Sequence, residues 1–338
     1  MPDIPGGLPH DPEHVDGRDP AARLPFGVSR YYAGLARGKD PRTDPIAAQY
    51  VPRDEELAAL PYESADPIGD SRWLVAERLV HHYPDRALLL VSDRCATYCR
   101  HCFRRHFTGH GGGQITDGQL DRACEYLTRT PAVREVLLSG GDPLMLSDRD
   151  LQRVVDRLFR VNPQYILRIC TRMPVVHPGR ITDDLAGMLG SAGAVWAVIH
   201  TNHPSELTDE FRLAVRRLIR AGVPVLNQAV LLRGVNADAE TLENLFRGLV
   251  RAGVKPYYLF QGDLATGTAH FRVPLERGIA LMKELRARLS GIALPTYAVD
   301  LPGGGGKVPV ESSLLRTEPD AYVLQGPDGK EYRYPRES

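Results

Sequence analysis

The sequence has few cysteines, few lysines, no net charge and no long apolar run. Its 338 residues include 42 basic and 42 acidic side chains, so the composition does not favour a strongly basic nucleic-acid-binding protein. No apolar stretch approaches the roughly 18 residues that a membrane-spanning helix requires. The first residues lack a basic segment followed by an apolar one, so they do not resemble a secretory signal. We therefore expect a cytoplasmic protein without nucleic-acid or membrane partners.

The five cysteines are too few for a disulfide scaffold in a chain of this length. Three of them, Cys95, Cys99 and Cys102, lie within eight residues of one another, whereas Cys124 and Cys170 stand apart. Clustered cysteines in a cytosolic chain more often bind metal or take part in chemistry than form disulfides. Only five of the basic residues are lysines, so a reaction that needs a lysine amine has few candidates.

Apolar segments of strand length alternate with amphipathic segments of helix length from residue 87 onwards. This alternation is typical of a parallel sheet covered by helices. Six or more such units favour a full or partial β/α barrel over an open doubly wound sheet. The predicted strands cover residues 87–92, 135–139, 165–170, 194–200, 224–232, 255–260 and 294–300, and the predicted helices cover 117–129, 148–160, 183–191, 208–221, 239–252 and 275–289.

The remaining residues are predicted to surround this barrel. The first 70 residues are rich in Pro, Asp and Gly, which favours an irregular arm with short helical stretches such as residues 54–60. We expect this N-terminal arm to cover residues 1–86 and to wrap the core. The barrel is then expected at residues 87–300, followed by a short C-terminal segment at residues 301–338.

The cysteine cluster has the spacing Cys95-x3-Cys99-x2-Cys102 and follows the first predicted strand. Loops after strands lie at the C-terminal face of a β/α barrel, where active sites gather. Three thiolates can bind three irons of a [4Fe–4S] cluster and leave the fourth iron open to a ligand. Zinc is the alternative, with His101 or His106 as a fourth ligand. However, structural zinc usually has two separated pairs of ligands, and the sequence has no second CxxC.

Two glycine-rich segments accompany the cysteine cluster. Residues 139–142 (SGGD) end the second predicted strand, where glycines let the backbone approach a ligand, although such a turn is common in βα units. Gly303–Gly306 precede Lys307, and a glycine run of this kind can deliver a lysine amine into a pocket. Pyridoxal phosphate (PLP) is a cofactor that uses such a lysine. Taken alone, the same segment is also typical of a flexible linker with a solvated lysine.

Together, these motifs resemble the lysine 2,3-aminomutase family, whose members are PLP-dependent radical S-adenosylmethionine (SAM) enzymes. Cx3Cx2C is similar to the radical SAM signature, with His101 at a position where an aromatic ring often stands. The resemblance implies an α/β fold with the partial, TIM-like (β/α)6 barrel of radical SAM enzymes. The matching segments are residues 81–107, 133–144, 168–182, 200–208, 227–236, 255–272 and 294–309, in the same order as in the family.

The resemblance also implies a role for each matching residue. Arg104 would pair with the substrate α-carboxylate, and Asp263 with Asp300 would hold the ε-ammonium group of lysine. Lys307 would be the catalytic residue and bind PLP covalently. By this resemblance, Cys95, Cys99 and Cys102 bind the [4Fe–4S] cluster; Ser139, Gly140, Gly141, Asp142, His200 and Gln228 lie near SAM; and Tyr83 and Arg86 join Lys307 at PLP, with Arg86 on the phosphate.

The implied reaction is an isomerisation that converts L-lysine to L-β-lysine by moving the α-amino group to the neighbouring carbon. Two buried carboxylates at Asp263 and Asp300 require a cation between them, and a lysine ammonium group supplies it. A guanidinium group fits as well, so arginine 2,3-aminomutase is an alternative, whereas a glutamate-specific relative should carry neutral or basic residues there.

The CFRRHF segment (102–107) is also similar to relatives that supply β-lysine for modification of elongation factor P. A non-enzymatic zinc-binding module is the remaining alternative.

Some residues depart from the family pattern. His82 stands where the family usually has Arg near the PLP phosphate, which predicts weaker or pH-dependent phosphate binding. No cysteine follows Cys170, so we do not expect the zinc that larger members bind between subunits. The family implies a homo-oligomer, a dimer or a tetramer, and an electron donor such as flavodoxin or ferredoxin.

Overall fold

The computed structural model describes residues 24–110 and 112–336 of the chain. In this part of the protein, a ten-stranded sheet contains its strands in the order of the sequence. The strands are β1 (Leu74–Ala76), β2 (Leu79–Tyr83), β3 (Arg86–Ser92), β4 (Glu135–Gly140), β5 (Ile166–Thr171), β6 (Ala194–His200), β7 (Val225–Val230), β8 (Lys255–Phe260), β9 (Thr296–Leu301) and β10 (Gly306–Pro309).

The sheet is parallel in its centre and antiparallel at both edges. Strands β3 to β9 pair in parallel with their neighbours. Strands β1 and β2 add to one edge in antiparallel orientation, and β10 adds to the other. Because β1 and β10 remain the two edges, the sheet is not closed into a full barrel. The predicted fold class, a partial TIM-like α/β barrel, is confirmed.

Helices connect the parallel strands because their sequences bury one apolar face. In the helix that begins at Asp148, Leu151, Val154, Val155 and Leu158 are buried, a spacing that places them on one face. Each strand and helix predicted for the barrel ends within two residues of its observed end. The described helices are α1 (Arg30–Ala33), α2 (Asp117–Arg129), α3 (Asp148–Val161), α4 (Met173–Val176), α5 (Asp183–Ala192), α6 (Asp209–Arg220), α7 (Ala239–Arg251), α8 (Leu275–Arg288) and α9 (Val310–Ser313). None of them is long and apolar enough to cross a membrane.

The terminal segments were predicted less accurately than the barrel. The helical stretch expected over residues 54–60 is a short 3-10 helix, Asp54–Leu57, because the backbone is already extended at Ala58. Pro61 further disfavours a helical conformation at the residue before it. The C-terminal segment contains a small antiparallel sheet that the sequence analysis did not predict. Its strands are β11 (Leu314–Thr317), β12 (Ala321–Gln325) and β13 (Glu331–Pro335). The division of the chain at residues 86 and 300, the cytoplasmic location and the absence of nucleic-acid partners stay predictions.

Buried ion pairs attach the N-terminal arm to the loop that carries the clustered cysteines. The Glu56 carboxylate accepts hydrogen bonds from Arg100 (Nε, 2.9 Å) and from Arg105 (Nη2, 2.7 Å). The three side chains are 4–7% exposed. Arg100 and Arg105 flank Cys102, so a single arm carboxylate neutralises two cations of this loop. We therefore expect Glu56 to determine whether the loop keeps its shape.

Glu56→Ala is expected to lower the free energy of unfolding of the apo-protein by about 3–5 kcal/mol, because two buried guanidinium groups lose their shared carboxylate. Denaturant unfolding at pH 7, followed by circular dichroism, measures the change. Glu77→Ala removes a carboxylate from an exposed pair with Arg122 and serves as the control, with little effect expected. Similar unfolding curves for the two variants would contradict the role of Glu56 in stabilising the cysteine loop.

Candidate active site

A cavity of about 700 Å³ runs along the inside of the partial barrel. Alternate residues of the parallel strands face it, because successive side chains of a strand point to opposite sides of the sheet. On β4 these are Leu137 and Ser139, and on β5 they are Arg168 and Cys170. All fifteen site residues expected from the sequence line this single cavity: Tyr83, Arg86, Cys95, Cys99, Cys102, Arg104, Ser139, Gly140, Gly141, Asp142, His200, Gln228, Asp263, Asp300 and Lys307.

The three clustered cysteines follow β3 and face the cavity. The Cys102 amide donates to the Cys99 carbonyl oxygen at 2.9 Å, which folds the loop tightly. Burial raises the pKa of the Cys95 and Cys102 thiols, so each thiolate needs a cation beside it. Within residues 24–110 and 112–336, no three His, Cys, Asp or Glu side chains meet around one point as ligands of a single ion would. Thiolates that bind three separate irons do not need to meet at one point.

The glycine pair after β4 packs against the stem of the cysteine loop. The Gly141 amide donates to the Ser92 carbonyl oxygen at 2.6 Å, and the Asp142 amide donates to that of Arg94 at 2.8 Å. A Cβ on Gly140 would overlap the Ser92 oxygen, and one on Gly141 would overlap the Arg94 oxygen. Glycine is therefore required here for close packing of two loops at the cavity edge.

The Asp142 carboxylate connects the loops after β4 and β5. It accepts hydrogen bonds from the Thr171 hydroxyl (2.8 and 2.9 Å), the Arg172 amide (2.7 Å) and the Leu144 amide (2.9 Å). Because these protein donors already use both oxygens, Asp142 positions the surrounding backbone. Its expected place near SAM stays a prediction.

His200 and Gln228 are opposite each other on β6 and β7. The His200 ring stacks on His101, with ring centroids 5.4 Å apart and the two Nε2 atoms 3.3 Å apart. The Asn202 side-chain amide donates to His200 Nε2 at 3.0 Å. Burial and the nearby Arg172 lower the pKa of His200 to about 3, so this imidazole is neutral at pH 7.

A buried polar network lies behind the cysteine loop, and the sequence analysis missed it. Arg172 Nη2 donates to Glu206 (2.8 Å), to the Tyr32 hydroxyl (2.8 Å) and to the Gln49 side-chain oxygen (2.6 Å). Its other terminal nitrogen, Nη1, lies 2.7 Å from the Cys99 sulfur. Tyr32 and Gln49 belong to the N-terminal arm, so no local motif links them to the cysteine cluster.

Lys307 lies on β10, directly opposite Asp300 of β9. Its Nζ is 3.9 Å from an Asp300 carboxylate oxygen and 4.4 Å from the centroid of the Phe260 ring. The Lys307 amide donates to the Tyr83 hydroxyl at 2.8 Å. Because the side chain faces the cavity and is only 29% exposed, it is not a solvated linker lysine.

The glycine run before Lys307 forms the tight turn between β9 and β10. Gly304 and Gly306 have φ angles of +80° and +87°, which side chains with a Cβ rarely adopt. Arg72 Nη1 donates to the Gly303 carbonyl oxygen at 2.9 Å. A Cβ on Gly305 would overlap the Tyr332 ring. The turn is therefore held from the arm on one side and from the C-terminal sheet on the other.

Tyr83, Arg86 and His82 lie at the end of the cavity near Lys307. The Arg86 guanidinium carbon is 3.8 Å from the centroid of the Tyr83 ring. His82 stacks on Trp73, with centroids 4.5 Å apart, and burial lowers the pKa of His82. A neutral imidazole attracts a phosphate less than the usual arginine would, although weaker phosphate binding stays a prediction. Trp73 is in the N-terminal arm and was missed by the sequence analysis.

Four charged side chains also line the cavity: Asp70, Arg104, Asp263 and Asp300. Arg104 Nε donates to the Asp70 carboxylate at 2.8 Å, an ion pair that the sequence analysis missed. Burial and the neighbouring Asp300 raise the pKa of Asp263 to about 8, although the Lys307 and Arg104 cations oppose this shift. The carboxyl pair therefore retains a proton when no cation lies between its members.

Comparison with known proteins identifies the family. A model described as the radical SAM superfamily matches residues 89–246, and one described as lysine-2,3-aminomutase matches residues 282–337. The L-lysine 2,3-aminomutase of Acetoanaerobium sticklandii is 42% identical over 304 residues, which are 90% of this chain and 73% of that protein. The chain belongs to the lysine 2,3-aminomutase family of radical SAM enzymes. The resemblance seen in the sequence is thereby confirmed.

Two further proteins are similar to this chain. The glutamate 2,3-aminomutase of Clostridioides difficile is 37% identical over 299 residues, 88% of this chain and 70% of that protein. A radical SAM methyltransferase from Sphaerobacter thermophilus has a TM-score of 0.48 and 21% identity, covering 65% of this chain and 68% of that one.

Family membership defines the class of the protein. It is an isomerase of the aminomutase type, so the alternative of a non-enzymatic zinc-binding module is wrong. The superfamily also implies SAM and a [4Fe–4S] cluster. The donor set fits such a cluster, because three thiols from one loop face the cavity and soft thiolates suit iron–sulfur clusters.

Asp263→Asn is expected to flatten the dependence of the free energy of unfolding on pH in the apo-protein. The folded chain keeps the Asp263 proton up to about pH 8, whereas the unfolded chain loses it near pH 4. Unfolding between these values releases a proton. The wild-type free energy of unfolding therefore falls as pH rises through this window, by at most about 1.4 kcal/mol per pH unit from this group.

Urea unfolding at several pH values from 5 to 8 measures the difference. Asp320→Asn, at an exposed position, should follow the wild-type profile. Parallel profiles for wild type and Asp263→Asn would contradict the raised pKa.

Proposed function

We propose that the chain is a PLP-dependent L-lysine 2,3-aminomutase that forms L-β-lysine by moving the α-amino group to the neighbouring carbon. One observation supports this most strongly: the three cysteines, Lys307 and the pair Asp263 and Asp300 all line one cavity. An enzyme that must bring SAM, PLP and an amino acid together needs all three sets of side chains within reach of one substrate.

Two sets of cavity residues would hold the cofactors. When bound, the cluster and SAM supply a carbon radical that removes a substrate hydrogen, and PLP supplies a conjugated ring that stabilises substrate radicals. Cys95, Cys99 and Cys102 would hold the cluster. Lys307 would hold PLP, and Tyr83 fixes the backbone of Lys307 through its hydroxyl.

An anionic cofactor group also has donors at this end of the cavity. Arg168 lines the cavity and pairs with Glu135 through Nη2 at 2.7 Å, but its buried Nε has no hydrogen-bond partner among the described residues. A buried donor without an acceptor is costly, so a phosphate oxygen there would satisfy it. Arg86 lies nearby on the Tyr83 ring. These donors fit the phosphate of PLP.

The charges of the cavity favour a cationic substrate side chain. Asp263 and Asp300 both face it, and burial together with repulsion from Asp300 raises the pKa of Asp263. An ammonium group between them would relieve this repulsion, whereas a glutamate side chain would add to it. Arg104 supplies a guanidinium group for the α-carboxylate. The chain is similar in sequence to both lysine and glutamate 2,3-aminomutases, so sequence identity does not distinguish the two substrates. The carboxylate pair is the feature that favours lysine.

Aromatic side chains form an apolar wall beside Lys307. Its Nζ lies 4.4 Å from the Phe260 ring centroid and 5.1 Å from that of Tyr258. Exclusion of water protects reactive radicals from side reactions. The arrangement therefore suits radical chemistry better than hydrolysis.

Anaerobic incubation of the reconstituted enzyme with SAM, PLP, dithionite and one amino acid tests the function. The amino acids are lysine, arginine, ornithine and glutamate, and mass spectrometry of derivatised products is the readout. β-Lysine from lysine alone is the expected result. β-Arginine would favour the arginine alternative, and the absence of any β-amino acid would contradict the proposal.

Lys307→Ala is expected to abolish β-lysine formation and the covalent retention of PLP after borohydride reduction. Among the described residues, Lys307 is the only lysine that lines the cavity, and the substitution removes its amine. Absorbance of the reduced protein and product analysis measure the two effects. Lys283→Ala removes an exposed lysine of α8 and should leave both unchanged. Full activity of Lys307→Ala would contradict the role of this residue.

Asp263→Asn is expected to raise the KM for lysine by at least about thirtyfold, because the substrate ammonium group loses one carboxylate, a loss worth about 2–5 kcal/mol. Steady-state kinetics measure KM and kcat separately. Asp263 is the better position for this substitution, because Asp300 also lies beside Lys307 Nζ and its loss would affect that lysine as well. Asp320→Asn is again the exposed control. An unchanged KM would contradict the assigned contact.

The remaining predictions concern partners. A dimer or tetramer, flavodoxin or ferredoxin as electron donor, and use of β-lysine for elongation factor P stay predictions. The stereochemistry of the β-lysine formed, together with a transfer assay, tests the elongation factor alternative.

A further inference from the structure

The guanidinium group of Arg172 lies between the cysteine loop and the N-terminal arm. Its Nη1 is 2.7 Å from the sulfur of Cys99, which is expected to bind the cluster. Its Nη2 donates to Glu206 on the opposite side. Arg172 is 7% exposed and Glu206 is fully buried, so water does not screen this group. A cation is therefore held in contact with a ligand sulfur.

The position of Arg172 is determined by several partners. Besides Glu206, its Nη2 donates to the Tyr32 hydroxyl and the Gln49 side-chain oxygen. The Glu206 carboxylate is fixed in turn by the backbone amides of Asn202 (2.6 Å) and His203 (2.9 Å). A planar guanidinium group can contact acceptors on two sides at once, whereas a lysine ammonium group acts as a single point charge.

One atom of Arg172 lacks a partner. Its Nε is buried and has no hydrogen-bond partner among the described residues. Buried donors are normally satisfied, so an acceptor that arrives with a cofactor would complete the set. Arg172 lines the cavity beside Cys99, where such an acceptor would enter.

Hydrogen bonds to the sulfurs and net local charge are the main protein contributions to the potential of an iron–sulfur cluster. Reduction adds one electron to the cluster and breaks no bond. A cation and an N–H donor at a ligand sulfur therefore stabilise the reduced form and raise the midpoint potential.

We propose that Arg172 is a positioning residue that raises the reduction potential of the [4Fe–4S] cluster through its contact with Cys99, and that Glu206, Tyr32 and Gln49 hold it there. The inference rests on the proposed function, because it requires that Cys99 binds the cluster. It assigns a redox role to a residue outside the cysteine motif. It also couples the N-terminal arm to the cluster.

The test compares the reconstituted full-length wild-type chain with Arg172→Lys, Arg172→Gln and Tyr32→Phe. Iron and sulfide contents are measured first. Redox titration with dithionite and mediators, without SAM or PLP, is then followed by electron paramagnetic resonance. The midpoint potential should fall in the order wild type, Arg172→Lys, Arg172→Gln, because lysine keeps the charge but not the two-sided contact, and glutamine loses the charge.

Tyr32→Phe is the matched control. It removes one of the hydrogen bonds that hold Arg172 but leaves those to Glu206 and Gln49 and the contact with Cys99, so its midpoint should fall by clearly less than that of Arg172→Gln. Equal potentials in wild type and both fully loaded Arg172 variants would overturn the inference. A shift in Tyr32→Phe as large as in Arg172→Gln would also overturn it, because general loosening of the network would then explain the change.

Two further outcomes are decisive. If both Arg172 variants bind no iron while their apo forms melt like wild type, Arg172 holds the ligand loop and does not tune the potential, which overturns the inference. If the wild-type chain itself assembles no cluster, both the inference and the proposed function fail. Normal loading with unchanged potentials would overturn the inference alone.

Discussion

The site depends on buried pairs between arginines around the cysteine loop and carboxylates elsewhere in the chain. Glu56 neutralises Arg100 and Arg105, and Asp70 neutralises Arg104. Each of these arginines is at most 9% exposed at its side chain, so an unpaired one would strongly destabilise the fold. The loop can therefore adopt its shape only when the N-terminal arm lies across it. The arm thus belongs to the active site as much as the barrel does.

A second constraint is the balance of charge inside the cavity. Burial and the neighbouring Asp300 raise the pKa of Asp263 to about 8, and Lys307 lies 3.9 Å from Asp300. In the free protein this lysine partly compensates the carboxylates. If the lysine amine is used to hold a cofactor, a cation from the substrate can take over that compensation. The same pair of carboxylates would then serve both the resting protein and substrate selection, which links stability and specificity in one set of residues.

Much of the fold was predictable from the sequence, because the pattern of apolar residues is local. The helix Asp117–Arg129 and the strand Ala194–His200 were predicted with their observed ends. The cavity residues within motifs were also predictable. Asp70, Tyr32 and Gln49 were not, because each acts through a partner far away in the chain. Nothing in the residues around Gln49 indicates a contact with Arg172, 123 positions later.

The sequence by itself determined the alternation of strands and helices, the cysteine spacing and the family, because these depend on periodicity and on short runs of residues. Only the tertiary structure decided that the four glycines before Lys307 form a tight turn held on both sides, and that the amine enters the barrel. It also decided which carboxylate faces each arginine. The physical reason is that burial and charge pairing are properties of neighbours in space, and such neighbours come together only when the arm, the barrel and the C-terminal sheet pack.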